Sequence, residues 1–359
     1  MNNKPYTYND FTYQEVGNKE NDGVRIMHNK SYPDKVHKFY AINSFSVDAL
    51  VNGYFYASHT FELNDYLDSS PFLWYASNPL SFDFYERFLG QDVSKDELVK
   101  FYEADINRDN LCKGYISKYW EVLSNLCGII SLTAVENSIL MWPHYTQEKG
   151  FQLTFNAKAL EECLNNKIEK GECFGMFPMN YTPHLNPIDI FEYNSMHIPF
   201  FYATNVKSNK WEYEQEWRFL IGKPMMGVPY SKMGLNINPD FKTPSKNRYT
   251  YYDNNIVEQI TLGMNFFTAQ DFNMEWLNDQ QIKVSPIKSK KNLNYESHKK
   301  LLCYIYENLK EKIYHSGTKY EEGGNGTLFL IRTKERLEIE RVAWDTYVFT
   351  RTDDLIKIF

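Results

Sequence analysis

The segment 211–222, WEYEQEWRFLIG, carries the clearest strand pattern in the chain and decides the predicted architecture. Side chains of a strand alternate between its two faces, so Glu212, Glu214 and Glu216 share one face. Arg218 lies on that same face, while aromatic side chains occupy the opposite face and are easily buried. Like charges two residues apart disfavour each other's ionised form. The charged face is therefore interpreted either as a solvated edge with Glu–Arg pairs or as a carboxylate site.

Patterns on both sides of this strand predict the fold class. Short apolar runs bounded by turn residues predict further strands. These predicted strands lie at 36–42, 54–61, 129–133, 151–156 and 256–263. An apolar period near 3.6 residues predicts a helical insert within residues 79–126. We therefore predict an α+β fold, with a mixed, mostly antiparallel, split sheet as its core, a helical insert and a small C-terminal α+β unit.

The chain divides into three predicted segments. Residues 1–35 alternate polar and aromatic side chains and are interpreted as an N-terminal arm, and residues 36–287 form an α/β core domain. The stretch KSKKN at 288–292 is a candidate linker because the apolar pattern stops there. Residues 293–359 carry one amphipathic helix and three strand signals, which predict a small helix and β-meander unit packed on the core.

Composition argues against several classes of protein. With 39 Lys and Arg residues against 46 Asp and Glu, the net charge of −7 disfavours sequence-independent binding of duplex DNA. The five cysteines have scattered spacing, which disfavours a disulfide framework or a zinc site. No apolar run reaches the ~18 residues of a membrane span and no secretory signal is visible, so we expect a cytoplasmic protein without membrane contact. Signatures of P-loop NTPases, Rossmann dehydrogenases, zincins and α/β-hydrolases are also missing.

A second cluster, MWPHY at 141–145, has groups suited to proton transfer or stacking. His144 stands beside Pro143 and Tyr145, just before a turn into a strand. A histidine there is interpreted either as a proton carrier or hydrogen-bonding anchor, or as a structural residue satisfied within the core. Trp142 and Tyr145 add aromatic rings that can stack on a ligand.

A third cluster, Asn64 and Asp65, comes directly after the predicted strand at 54–61. Asn and Asp favour turns because their side chains bond their own backbone. The pair therefore indicates either a plain Asx turn or polar groups at the mouth of a pocket.

A fourth cluster joins basic groups on the early strand with hydroxyls on a later one. His37 and Lys38 belong to the strand at 36–42, and Ser131 and Thr133 belong to a buried strand. Such groups can hold phosphate or ribose oxygens. Strands of this composition are also common in ordinary protein cores.

Taken together, these segments resemble one bacterial family whose members are labelled only as a domain of unknown function. Its members show a K-[YF] near the start, a strand of the type l-y-f-s-s, and then F-N-D-P, [CS]-F-S, M-W-x-H-Y and E-x-E-W-R. The matching segments here are Lys38-Phe39-Tyr40, Tyr54 to Ser58, Asn64 to Asp68, Ser131-Leu132-Thr133, Leu140 to Tyr145, Gly150-Phe151 and Trp211 to Arg218. The resemblance covers roughly residues 36–265.

A more distant resemblance is to ADP-ribosyltransferases. Those proteins have a split mixed sheet with an Arg or His on an early strand, a Ser/Thr strand in the middle and, in one class, Glu-x-Glu on a later strand. The resemblance implies that NAD is the cofactor and substrate and that no metal is needed. It implies that Glu216 stabilises an oxocarbenium-like charge by bonding a ribose hydroxyl, and that Glu214 orients or deprotonates the acceptor.

The same resemblance implies a cofactor-binding set. His37 or Lys38 would meet the pyrophosphate or ribose, and Tyr40, Trp142 or Tyr145 would stack on nicotinamide. The full set expected to contact the cofactor is His37, Lys38, Tyr40, Ser58, Asn64, Asp65, Ser131, Thr133, Trp142, His144, Tyr145 and Arg218.

Three functions stay open at this point. The first is NAD-dependent ADP-ribosyl transfer to a protein or nucleic acid, or NAD hydrolysis, which would suit a bacterial toxin or phage-defence effector. The second is a non-catalytic module that senses a small nucleotide ligand or binds a partner. The third is a metal-dependent nuclease or hydrolase that uses Asn64, Asp65 and Glu216.

Overall fold

A computed structural model describes residues 4–18, 21–90, 93–107, 110–168, 171–227, 245–289 and 292–358. The helices in these residues are α1 (Ser44–Asn52), α2 (Phe82–Leu89), α3 (Lys95–Asp105), α4 (Lys113–Leu126), α5 (Met141–Thr146), α6 (Ala157–Lys167), α7 (His197–Asn205) and α8 (Tyr295–Tyr304). The strands are β1 (Tyr6–Tyr8), β2 (Phe11–Asn18), β3 (Asn21–Met27), β4 (Lys35–Tyr40), β5 (Tyr54–Tyr56), β6 (Trp74–Tyr75), β7 (Cys127–Thr133), β8 (Phe151–Asn156), β9 (Glu172–Pro178), β10 (Asn180–Thr182), β11 (Ile188–Asp189), β12 (Val206–Ser208), β13 (Glu216–Gly222), β14 (Tyr249–Tyr251), β15 (Val257–Leu262), β16 (Phe272–Asn278), β17 (Gln281–Pro286), β18 (Ile313–Glu322), β19 (Leu328–Ala343) and β20 (Thr346–Ile358).

The fold is α+β, as the sequence predicts, but its compact units combine distant segments of the chain instead of following the boundaries at 35, 287 and 293. Unit 1 contains Met1–Tyr32, Tyr56–Ile130 and Ile168–Tyr249. Unit 2 contains Pro33–Phe55, Ser131–Lys167 and Thr250–Phe359. In the described residues, no helix is long and apolar enough to cross a membrane.

Unit 1 has an aromatic core into which the N-terminal segment packs. The segment 1–35, interpreted as an arm, instead carries the antiparallel meander β1–β2–β3. Its alternating aromatic residues explain this, because Phe11 and Tyr13 lie on one face of β2 and are buried. The hydroxyl of Tyr13 donates to Oδ1 of Asn205 at 2.6 Å, which fixes the meander to α7.

The strand predicted at 211–222 begins only at Glu216. Residues Asn209–Glu214 form a 3₁₀ helix, because the Ser208 side chain accepts a hydrogen bond from the backbone of Lys210 and caps it. Gln215 then takes a left-handed conformation with φ of +40°, which turns the chain into β13. Residues 211–215 therefore do not belong to a strand, and the prediction that their side chains alternate between two faces is wrong.

Unit 2 is built on a sheet that runs β16–β17–β20–β19–β18–β15–β8–β4 and then meets the end of β7 at Thr133. Among the described residues, neighbouring strands of this sheet are antiparallel, except that β15 and β18 are parallel, with Ile260 opposite Ile313. The tail at 293–359, predicted as a small unit packed on the core, continues the same sheet as β15 and β8. The candidate linker at 288–292 lies partly outside the described residues.

Candidate functional site

Five charged side chains of unit 1 meet in one place, which we call the charge cluster: Asp68, Lys207, Glu214, Glu216 and Arg218. Each is at most 6% exposed. β13 supplies the last two, β12 supplies the lysine, the 3₁₀ helix supplies Glu214, and the turn after Asn64 supplies the aspartate. Two of the segments that carry the family resemblance, Asn64 to Asp68 and Trp211 to Arg218, therefore converge on this point.

Lys207 is the centre of the cluster. Its Nζ lies 2.6 Å from Oε2 of Glu214 and 2.7 Å from Oε2 of Glu216. Oδ2 of Asp68 is 3.6 Å away, and the same ammonium lies 5.2 Å from the ring centroid of Trp211. An ammonium has three donors, and three carboxylates surround this one.

Arg218 closes the other side of the cluster. Its Nε donates to Oε1 of Glu216 at 2.7 Å. Its two terminal nitrogens donate to the two carboxylate oxygens of Asp68, in the bidentate arrangement that gives Arg–carboxylate pairs their strength. Nη1 also donates to the hydroxyl of Ser69 and to the backbone oxygen of Thr204.

The cluster keeps its groups ionised in spite of burial. Burial alone would raise the pKa of Glu216, but Arg218 and Lys207 outweigh it and hold that pKa well below its ordinary value. Burial opposes the charge of Lys207, yet Glu216 and Asp68 raise the pKa of this lysine above its ordinary value. Both oxygens of Glu216 already accept hydrogen bonds from cations, so a ribose hydroxyl would have to displace one of them.

The sequence placed Glu212, Glu214, Glu216 and Arg218 on one strand face, whereas the structure brings the last three together without a common strand. Lys207 was missed as their partner. The sequence did contain an electrostatic indication of this partner. A buried carboxylate pair needs a cation, and Lys207 stands four residues before Trp211, just upstream of the acidic pair. Asp68 lies in the segment Asn64 to Asp68 that carries the family resemblance, but the sequence predicted no role for it.

The other predicted residues of unit 1 have backbone or turn contacts. Ser58 forms an antiparallel bridge with Ile129. Oδ1 of Asp65 accepts from the backbone N–H of Leu67 at 3.0 Å, which is the Asx turn that the sequence offered as one interpretation. Asn64 is exposed at the start of that turn.

In unit 2, His37 belongs to a buried polar row that crosses the sheet. It lies opposite Thr133 on one side and Thr154 on the other, and its Nδ1 is 3.0 Å from the Thr154 hydroxyl. Burial is the main cause that lowers the pKa of His37, to about 4. The next polar side chains along the row are Gln259, which lies opposite Thr154, and Lys334, which donates to Gln259 at 2.9 Å. His37 is therefore a neutral core residue at neutral pH.

The remaining predicted residues of unit 2 also have internal partners. Nζ of Lys38 donates to the backbone oxygen of Ser131 at 2.8 Å. Tyr40 stacks on Phe151 with ring centroids 5.3 Å apart.

The predicted MWPHY cluster forms α5, where Trp142 is fully buried and donates from Nε1 to Oδ1 of Asn137 at 2.7 Å. The rings of His144 and Tyr145 lie 4.8 Å apart on the same helix, and His144 is exposed. The predicted set is thus divided between the two units, with Glu214, Glu216 and Arg218 in unit 1.

Unit 1 also contains a cavity that sequence reasoning did not find, here called the aromatic cavity. It measures about 190 Å³ and lies between α2, α4 and the segment before α7. A second hollow of about 520 Å³, the outer groove, shares Arg87 and Asn194 with it and adds Asp83 and Glu86. The residues that line the aromatic cavity are Phe84, Arg87, Phe88, Tyr115, Tyr119, Asn194, Ser195, Met196 and His197.

Arg87 stands where the two hollows meet. Its guanidinium lies 4.9 Å from the ring centroid of Phe84, and Nη1 donates to the backbone oxygen of Asn194 at 3.3 Å. Nε donates to the backbone oxygen of Asp83. Arg87 as a whole is exposed, so its guanidinium is the cation nearest to both hollows that solvent can reach.

Comparison with known proteins adds one finding. The model of a protein family of unknown function, DUF2971, matches residues 141–219. No curated protein and no solved structure matches the chain. The matched stretch includes Lys207, Glu214, Glu216 and Arg218, so four members of the charge cluster lie within it.

Proposed function

We propose that the chain is a ligand-binding module whose aromatic cavity and outer groove take a nucleoside moiety. This is the non-catalytic alternative that the sequence left open, and the shape and chemistry of the cavity support it.

The size of the aromatic cavity favours a single ring system. Pockets for drug-sized ligands measure about 300–1,000 Å³, whereas this cavity measures about 190 Å³. Phe88 and Tyr119 lie with ring centroids 4.1 Å apart on one wall. Because these two rings contact each other, no base fits between them, and a planar base would stack on this wall from the cavity side, since every base has a π face.

The charges of the outer groove favour a ribose next to that ring. Asp83 and Glu86 offer carboxylate oxygens, which bind ribose hydroxyls in other nucleotide-binding proteins. One cation, Arg87, stands beside these two acids. A neutral nucleoside, or the nucleoside end of NAD, fits this balance better than a triphosphate does.

Titration calorimetry with adenosine and with NAD tests the proposal. Tyr119→Leu keeps an apolar wall but removes the stacking ring, so we expect adenosine affinity to fall about 5- to 100-fold. Tyr251→Leu is the matched control, because Tyr251 is half-exposed in unit 2 and lies outside the cavity. Wild-type protein that binds neither compound, or equal affinities in the two variants, would rule the proposal out.

A second candidate, NAD-dependent ADP-ribosyl transfer or hydrolysis, is favoured by one observation. Glu216 is held as a carboxylate, and Glu214 shares the same ammonium. An ionised carboxylate is what an oxocarbenium-like transition state needs. Because the cluster is buried, this chemistry also requires the 3₁₀ helix Asn209–Glu214 to move away from Lys207.

The two candidates differ in NAD consumption. If Glu216 is catalytic, Glu216→Gln abolishes NAD consumption while Asp68→Asn, which disturbs the same cluster, keeps it in protein that is folded by circular dichroism. If the cluster is only structural, wild-type protein consumes no NAD, or both variants lose activity in proportion to lost stability.

A further inference from the structure

The β18–β19 ribbon of unit 2 extends beyond the strands beside it. β15 pairs with β18 only as far as His315, which lies opposite Leu262. β19 continues alongside β18 to the pair Glu322 and Leu328. Among the described residues, no strand lies on the second side of β18 from Lys319 onward.

The backbone of this edge presents hydrogen-bonding groups outward. Gly323 donates its N–H to the oxygen of Thr327 at 2.7 Å, so this opposed pair is hydrogen-bonded. Hydrogen-bonded and non-bonded pairs alternate along an antiparallel ladder. Glu321 and Lys319 therefore bond to β19, whereas Tyr320 and Glu322 direct their N–H and C=O groups away from it.

The end of the ribbon is also apolar. Tyr320 is 70% exposed, and Leu328, Phe329 and Leu330 of β19 are exposed as well. A two-stranded ribbon is marginal in water without further packing, and an open strand edge is a template for another strand. The edge of β18 therefore suits an occupant that supplies a strand.

We propose that the occupant is a second copy of this chain, joined through β18 about a two-fold axis at Tyr320. Antiparallel pairing about that axis places each Tyr320 opposite the other. It also places Lys319 of each copy opposite Glu321 of its partner, in the close, non-bonded positions where opposite charges stabilise a sheet. Within one chain these two side chains already form a pair at 2.8 Å.

The order of the charged residues along β18 favours a second copy of the chain as the partner, and it favours one register of pairing. The sequence Lys319-Tyr320-Glu321 is complementary to itself only when the strands run antiparallel with the tyrosines opposed. If the partner strand were shifted by two residues, Lys319 would lie opposite Lys319 for one direction of the shift, and Glu321 opposite Glu321 for the other. Like charges directly opposite each other destabilise a sheet. A self-complementary patch is also what a two-fold dimer requires.

Sedimentation velocity on the full chain over a range of concentrations tests the dimer. Wild-type protein is expected to dissociate on dilution. Lys319→Glu places acids against acids at two positions and is expected to weaken the dimer by about tenfold or more. The double exchange Lys319→Glu with Glu321→Lys restores complementary charges, so its dissociation constant should return to within about twofold of wild type.

A cysteine pair reports the register independently. Tyr320→Cys should form an intermolecular disulfide on mild oxidation, because opposed residues in a bonded pair lie at about 5.5 Å between Cα atoms. Thr318→Cys is the matched control, since the axis places it opposite Glu322 and not opposite itself. A wild-type chain that stays monomeric, a dimer indifferent to Lys319→Glu, or equal cross-linking of both cysteine variants would overturn the proposal.

Discussion

Replacing Arg218 by methionine is expected to lower the free energy of unfolding by about 3–5 kcal/mol. The carboxylates of Asp68 and Glu216 would stay buried, but only Lys207 would remain to balance them and Glu214. Removing one partner of a buried ion pair is costly because it leaves an uncompensated charge in a medium of low dielectric. The bidentate contact with Asp68 is the part of the cluster that no other residue can replace.

Urea denaturation of the full chain measures this effect. Arg218→Lys keeps a cation but loses the bidentate contact, so an intermediate loss is expected and provides a folded variant if the methionine variant does not fold. Lys118→Met is the control, because its pair with Glu121 at 3.1 Å is exposed. An exposed pair contributes about 0–1 kcal/mol, so similar losses for Arg218→Met and Lys118→Met would contradict the structural role of the cluster.

Lowering the pH from 7 to 4.5 is expected to destabilise the protein through its buried histidines. Burial lowers the pKa of His37 and of His315 to about 4, and that of His59 to about 3, from an ordinary value of 6.5. Between these values the unfolded chain binds protons that the folded chain does not, so stability falls as pH falls. For His37 the full difference, reached near pH 4, is about 3 kcal/mol.

The carboxylates act in a different pH range. The folded pKa of Glu216 lies below its ordinary value of 4.5, so the stability it contributes is present above that value and is lost only as pH falls further. Most of the loss expected between pH 6.5 and about 5 therefore comes from the histidines, since the unfolded carboxylates bind protons mainly below about pH 5.

Denaturation at several pH values, compared with His37→Gln, checks this expectation. Glutamine cannot titrate, so the variant should lose less stability than wild type across the interval. His144→Gln is the control because His144 is exposed, and it should follow the wild-type slope. Stability that is constant from pH 7 to 4.5, or equal slopes in wild type and His37→Gln, would show that His37 is not held neutral by burial.

The sequence predicted the α+β class because alternating segments such as Phe151–Asn156 pack on a sheet in almost any context. It failed where tertiary contacts decide the local structure. The apolar spacing of the segment 267–279 predicts a helix, yet the segment contains β16, which pairs with β17 from Phe272 opposite Pro286. The hairpin partner follows directly in the sequence, so pairing overrides the local preference.

The candidate site shows the same limit. The motif E-x-E-W-R suggested that Glu214, Glu216 and Arg218 belong together. Their burial, however, depends on Lys207 and Asp68, which come from other segments of the chain. Ser208 and Gln215 then bend the chain so that Glu214 faces Lys207 without lying on a strand. The aromatic cavity could not be predicted, because its walls come from three elements that are distant in the sequence.

A double-mutant cycle between Asp68 and Arg218 tests most directly whether the charged residues of the cluster stabilise the fold through one another. Unfolding free energies of wild type, Asp68→Asn, Arg218→Met and the double variant give the coupling between the two side chains. The cluster predicts that the double variant loses less than the sum of the single losses, with a coupling of about 2 kcal/mol or more. Single losses that add to within about 0.5 kcal/mol would contradict it.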